Sequence, residues 1–384
     1  MKGIKLLYLL LAVCALLSLP SCGGGGGGSG GTAQSGTLSV GLTDASTDEY
    51  KAVYVTINEV QVRVDEGAWK IVGSPRKTYN LLDLVNGVRE ELGVAELSAG
   101  NYTQMRLIIG NTSDGGINIL SKRHPSANYV IDWNDVDHTL KIPSGFQTGV
   151  KIVQGFTISP SQTTELILDF NASESVVVAG NSGQWLLKPT VKVLNTKECS
   201  IINGTVSDGE TNVLDGVLVS AQYTQSATDV KDEVVTEAST VTDEKGQYKI
   251  FINPGTYNIV AYTIDYQPAV ECAVELLPGV TKILDLSLTS AVTGTVSGDV
   301  TIAGAAEDQY ATLSFRRSGF CGQGANDKAI EVKSLNVLNG WPYSQPLPPG
   351  PYEVVASSYE HLTLSQNVTI VSGVTDTVLD IPIQ

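Results

Sequence analysis

A repeat limits the fold more than any other feature of the sequence. Pro254-Gly-Thr-Tyr257-Asn-Ile-Val-Ala261 is answered by Pro349-Gly-Pro-Tyr352-Glu-Val-Val-Ala356, and Ile283-Leu-Asp-Leu286 by Val378-Leu-Asp-Ile381. Gly204-Thr-Val-Ser is echoed by Gly294-Thr-Val-Ser. A chain that repeats its turn and strand signals about every 90 residues is built from tandem copies of one module, each large enough for its own core.

Within and before the repeats, apolar residues alternate with period two, the mark of half-buried strands. Leu38, Val40, Leu42 is one such run; Val53, Val55, Ile57 and Leu166, Leu168, Phe170 are others. The step from Ile57 to Val60 breaks parity at Asn58-Glu59 and predicts a bulge. Leu81, Leu84, Val85, Val88 and Leu92 hold helical spacing, which predicts a helix within Leu81–Leu97, kept short by Gly87 and Gly93. The fold class is therefore mainly all-β. Three tandem β-sandwich units occupy 37–195, 200–289 and 290–384, the first with a short helical insertion. Each unit also carries a Gly-x-Tyr element, ending at Tyr102, Tyr257 and Tyr352. Glycine permits the turn, and the tyrosine hydroxyl can close a sandwich corner by bonding the backbone.

The N-terminal segment reads as targeting rather than fold. Lys2 and Lys5 precede an apolar run from Leu6 to Leu19, too short for the roughly 20 residues of a spanning helix. The run ends Leu19-Pro20-Ser21-Cys22, which resembles the bacterial lipobox. That resemblance implies a signal peptide over 1–21, cleavage before Cys22 and lipidation of its thiol and amino group. Multiple acyl chains make such an anchor stable. Gly23 to Gly31, broken only by Ser29, then forms a tether over 22–36 with a reach of about 20 Å. The lipoprotein-sorting pattern, with Gly23 rather than Asp after the cysteine, implies the outer membrane if the cell is Gram-negative. The location expected is the bacterial cell envelope, with the membrane as partner through the lipid.

Residues 200–289 resemble the carboxypeptidase regulatory-like domain, on Gly204-Thr-Val, Gly216-Val-Leu-Val, Thr242-Asp-Glu-Lys-Gly-Gln-Tyr248 and Pro254-Gly-Thr-Tyr257. The resemblance implies a transthyretin-like seven-stranded sandwich and a non-catalytic spacer, adhesion or carbohydrate-binding-like module. Residues 290–384 look like a divergent copy, with Asn339-Gly-Trp-Pro-Tyr343 in place of the Thr-Asp-x-x-Gly turn. Residues 37–195 are similar to a bacterial lipoprotein family catalogued as domain of unknown function 4382. Leu42-Thr-Asp-Ala, Leu81-Leu-Asp-Leu-Val-Asn-Gly, Gly100-Asn-Tyr-Thr-Gln-Met-Arg-Leu and Leu166-Ile-Leu-Asp-Phe-Asn-Ala carry that similarity. It implies an envelope lipoprotein with a β-rich domain and no known activity.

Chemistry is sparse. Lys and Arg number 24 against 40 Asp and Glu, for a net charge of −16, which argues against a phosphate-backbone binder; no nucleic acid partner is expected. The three histidines, His124, His138 and His361, are scattered, and no zinc, nucleophile-elbow or phosphate-loop motif is present. The reading is a non-enzyme. Asp132, Asn134, Asp135 and Asp137 place four oxygen-bearing side chains in six residues. Calcium takes six to eight oxygens, so the segment is a weak calcium candidate, although its spacing departs from the EF-hand and a solvated turn is the plainer reading. Asp44 and Asp48 read as turn formers. Tyr129 and Trp133, and again Trp341 and Tyr343, are aromatic pairs that would stack on sugar rings if exposed; a Trp plugging a sandwich edge is the simpler account.

Cysteine arithmetic leaves Cys199, Cys272 and Cys321 in the mature chain, enough for one bridge and one free thiol in an oxidising envelope. Cys272 alternates with Val270 and Val274 and reads as a buried core thiol. Cys321, among Gly319, Gly322 and Gly324, reads as the free one. The expected function is a lipid-anchored envelope protein with non-catalytic binding or structural modules. A glycan-binding surface protein and a calcium-dependent adhesion module are the alternatives, and the partner is a glycan or another envelope protein.

Overall fold

Alternation makes strands throughout, and no helix reaches seven residues among the described residues of the computed structural model. Those residues are 34–384 apart from 46, 48, 144–148, 180–183, 210–211, 306–308 and 323–327. The expected signal peptide over 1–21, Cys22 and the tether to residue 33 lie outside them. Ser35 and Gly36, counted above as tether, already belong to the first strand, Ser35–Ala45.

In the first unit that strand runs parallel to Thr163–Asn171 and antiparallel to Glu90–Ser98. A second sheet is centred on Ala52–Arg63, flanked by Gln104–Ile109 and Tyr129–Ile131. Leu38, Val40 and Leu42 meet Val55, Ile57, Leu107, Leu166, Leu168 and Phe170 in the core between them. The register shifts at Ile57/Glu59, so the parity break in the sequence is a bulge. The predicted helix is a correction. Only Leu81–Leu84 forms a turn of 3-10 helix; Asn86 and Gly87 both take positive φ, and Glu90–Ser98 is strand. Leu92 is buried as a strand residue, and Gly93 packs on Gly73 so closely that a Cβ there would lie 2.5 Å from the Gly73 Cα. The spacing that resembled a helix comes from a turn followed by a strand whose register shifts against Val40/Gly41.

The second and third units share one topology. In the second, Ser200–Ser207 pairs antiparallel with Gln247–Ile252 and parallel with the closing strands Thr281–Ile283 and Leu286–Ser287. Its other sheet runs in the order Val234–Val241, Leu218–Thr224, Gly255–Tyr262, Ala269–Leu276. The third unit repeats both sheets with Gly294–Ile302 and Pro342–Leu347, and with Lys328–Leu338, Tyr310–Cys321, Gly350–Ser358 and Leu364–Ile370.

The strand pairing corrects one element of the repeat. Gly204 lies opposite Tyr248, and the glycine opposite Tyr343 is Gly298, not Gly294. Both glycines are required by the same close approach. A Cβ on Gly204 would fall 1.8 Å from the Leu284 carbonyl oxygen, and one on Gly298 would fall 2.1 Å from that of Leu379. The facing tyrosines, Tyr248 and Tyr343, donate their hydroxyls to those same oxygens at 2.7 Å. The three Gly-x-Tyr elements also behave alike. Tyr102, Tyr257 and Tyr352 each donate to the carbonyl four residues upstream, on Ser98, Asn253 and Pro348. Burial pushes the Tyr257 and Tyr352 hydroxyls up to about 12, so both stay protonated donors.

Candidate functional site

The acidic segment is the hairpin between Tyr129–Ile131 and Asp137–Lys141. One Asp132 oxygen accepts the N–H groups of Asn134 and Val136, each at 2.9 Å, and the other lies 3.0 Å from His138 Nε2. The His138 bond first, then the amide bonds, hold the Asp132 carboxyl below its ordinary range. The turn of the second unit is built identically. Asp243 accepts from Lys245 and Gln247, and its own N–H donates to the Gln247 carbonyl just as that of Asp132 donates to Val136. Asp135 takes the positive φ that Gly246 takes there, and it is held by Lys51 Nζ at 2.5 Å. Asp132 thus organises its own turn. No group of three or more His, Cys, Asp or Glu side chains converges among the described residues.

The aromatic pairs come apart. Tyr129 is fully buried, stacked on Tyr54 at 4.7 Å with its hydroxyl 2.8 Å from His124 Nδ1. Burial lowers the His124 imidazole below its ordinary value. Tyr343 is buried as well. Trp133 and Trp341 are 64% and 49% exposed and stand on turns. Tyr343 points into the core of its own sandwich, and Tyr129 lies on the sheet face away from Val53 and Val130, buried with Ala52, Tyr54 and Ile131 against Leu120; the tryptophans occupy the connecting loops. Asp44, read as a turn former, is instead a buried strand residue whose Oδ1 accepts the Ala172 N–H at 3.0 Å.

The cysteine assignment is also corrected. Cys272 and Cys321 form a disulfide between the second and third units, and Cys199 is the free, buried thiol. Alternation misled because Cys272 and Ala273 form a bulge opposite Asn258. Ala273 has positive φ, and the bulge turns Cys272 out of its own core.

That junction contains the functional-looking features that the sequence did not flag. Gln222 is buried and pairs with both polar atoms of the Glu331 backbone. It donates to the carbonyl at 2.7 Å and accepts the N–H at 2.9 Å, as a neighbouring strand would. Arg316 is buried too. Its guanidinium donates to the carbonyls of Val230 and Lys231 at 2.7 and 2.8 Å, and to Ser314 Oγ at 2.9 Å. Val260 and Tyr262 of the second unit lie in the third unit's core cluster, while Ile259 and Ala261 face their own. A strand apolar on both faces is a signal of burial on both sides. A polar cleft of about 390 Å³ opens where the three units meet, with Glu49 and Asn171 from the first, Ser220 and Lys231 from the second, and Lys333 and Asn336 from the third along its walls.

The geometry defines a class: an all-β chain of three sandwich units, the last two of one topology. Residues 35–189 match the family described as Domain of unknown function (DUF4382), and residues 201–289 match the Carboxypeptidase regulatory-like domain. No curated protein matches the chain in sequence. Similar solved structures include the Bacillus anthracis TIE protein, at 14% identity, 91% coverage of this chain, 51% of that one and a TM-score of 0.20. The chain thus spans about half the length of that protein. A streptococcal ancillary pilin matches at 11% identity, 91% and 99% coverage and a TM-score of 0.20. The minor pilin of Streptococcus agalactiae matches at 12% identity, 48% and 95% coverage and 0.19. Superpositions this loose carry no argument about function.

Proposed function

We propose that the chain is a lipid-anchored protein of the bacterial cell envelope that acts through non-catalytic binding or structural sandwiches. The observation that carries this reading is the sequence Leu19-Pro-Ser-Cys22 with a glycine tether that gives way to strand at Ser35. A body built of fused sandwiches behind a lipidated cysteine and a glycine-rich segment is suited to holding a surface clear of the membrane. Labelled fatty acid should enter the wild-type protein and not the Cys22→Ser variant, and the wild type should fractionate with membranes. Unlabelled, soluble wild-type protein would sink the proposal.

Carbohydrate binding is the second reading, favoured by the turn positions and exposure of Trp133 and Trp341. Indole faces stack on the C–H faces of pyranose rings while flanking polar groups bond their hydroxyls. A glycan array with the two Trp→Ala variants tests it; no glycan bound by the wild type removes it.

A further inference from the structure

The third unit has one end at which its exposed aromatic residues gather. Strand directions bring the Asn339–Trp341 turn, Gln309 and the loop after Ser358 to that end of the sandwich. Hydrogen bonds tie them together. The Asn339 N–H donates to the Gln309 carbonyl at 2.9 Å, and Asn339 Oδ1 accepts from Ile302 N–H at 2.8 Å. Gln309 Nε2 donates to the Tyr359 carbonyl at 2.6 Å and to Ser358 Oγ at 3.0 Å. His361 sets its two ring nitrogens on the carbonyls of Tyr359 and Ala303, at 2.8 and 3.0 Å. Those two bonds raise the imidazole above its ordinary value.

These loops are therefore fixed by polar bonds, and the Trp341 and Tyr359 side chains are exposed on them. Tyr359 is 79% exposed and stands with Trp341 on this scaffold. In sandwiches, loops gathered at one end are the usual place for recognition. Two exposed aromatic side chains on a hydrogen-bonded scaffold, with the side-chain amides of Gln309 and Asn339 beside them, match the mixed apolar and polar surface of a pyranose. We infer that Trp341 and Tyr359 form a glycan-binding platform at this end of the third unit. The inference rests on the carbohydrate-binding reading and replaces Tyr343, which is buried, by Tyr359.

Affinity electrophoresis of the full chain through gels containing a neutral β-glucan, a mannan or an acidic polysaccharide tests the assignment. At least one polymer should retard the wild type. Trp341→Ala and Tyr359→Ala should each weaken that retardation about tenfold or more, with unchanged melting temperature. Val153→Ala, an exposed position of the first unit, should leave it intact. Retardation that survives both substitutions overturns this site while leaving carbohydrate binding in place. Absence of retardation by any of the three polymers overturns the site and that reading together, and neither outcome bears on lipidation at Cys22.

Discussion

The two junctions between units are made by different means. The second and third units share core residues, a buried arginine, a side-chain amide acting as a strand and a disulfide. The first and second meet through Ile167, Leu194, Cys199 and Phe251, with a few polar pins around them. Asn86 gives its backbone N–H to Thr240 Oγ1 and its side-chain N–H to the Gln247 carbonyl, and Lys192 reaches the Glu237 carbonyl and carboxylate. Repeat copies can thus become one cooperative block, whereas the boundary between unlike domains rests on its own small cluster of four buried residues and, among the described residues, shares no core with either unit. Nearest-neighbour interfaces govern the cooperativity of repeat arrays, so the second and third units should unfold together.

The largest blow to this contrast is loss of the bridge. It spans 49 residues of sequence, and such a cross-link constrains the unfolded chain by about 4 kcal/mol. The Cys272→Ser, Cys321→Ser double variant should lower the block's unfolding free energy by that order, read as a fall in its denaturant midpoint at unchanged slope. A first-unit transition that moves equally would break the contrast. Arg316→Ala comes next. It strands two carbonyls and removes charge-assisted bonds, at a cost of about 3 kcal/mol. Asn86→Ala, at the other junction, removes one bond to a partly exposed carbonyl and should cost about 1 kcal/mol. Chemical denaturation of both variants gives the ratio directly, and equal costs would erase the distinction drawn here.

Strands, the bulge and the three tyrosine corners were legible because each depends on local pattern alone. The junction was not. Arg316 reads as one polar position on an alternating strand, and only the fold brings the Val230 and Lys231 carbonyls over it. The double-faced run Ile259-Val-Ala-Tyr262 was a signal open to the eye, since alternation fails there with no turn residue to explain it. Cys272 was misplaced because a one-residue bulge reverses every inward and outward assignment beyond it. Gly294 matched Gly204 in letters, but Tyr248 to Tyr343, Tyr257 to Tyr352 and Leu284 to Leu379 are each 95 residues apart, and Gly298, 94 residues from Gly204, comes nearer that spacing than Gly294, 90 residues away. For the candidate glycan site, the tryptophan was visible in the sequence, and its partner could be chosen only after burial removed Tyr343.

Acid offers the finest probe, because it separates the stapled junction from the interior of the first unit. Asp229 accepts from Lys231 Nζ at 2.6 Å and from the Thr363 hydroxyl across the junction at 2.8 Å. Those bonds, the lysine's first, pull its carboxyl down to about 2. Between the ordinary value of 3.8 and about 2, the unfolded chain takes a proton that the folded chain refuses. Stability from this group is therefore full above 3.8 and drains as pH falls through that window. Asp44 behaves oppositely. Burial first, and then the neighbouring Asp169 charge, raise its carboxyl well above 3.8. Folding therefore takes up a proton above 3.8, and stability from Asp44 grows as pH falls from its folded value toward 3.8. Urea midpoints measured across the acid range should show Asp229→Asn removing part of the loss below 3.8 and Asp44→Asn removing part of the gain above it. The Asp229 effect is the smaller, since that carboxylate is partly screened by solvent. Parallel pH curves for wild type and both variants would mean that neither carboxylate is coupled to folding as its bonds require.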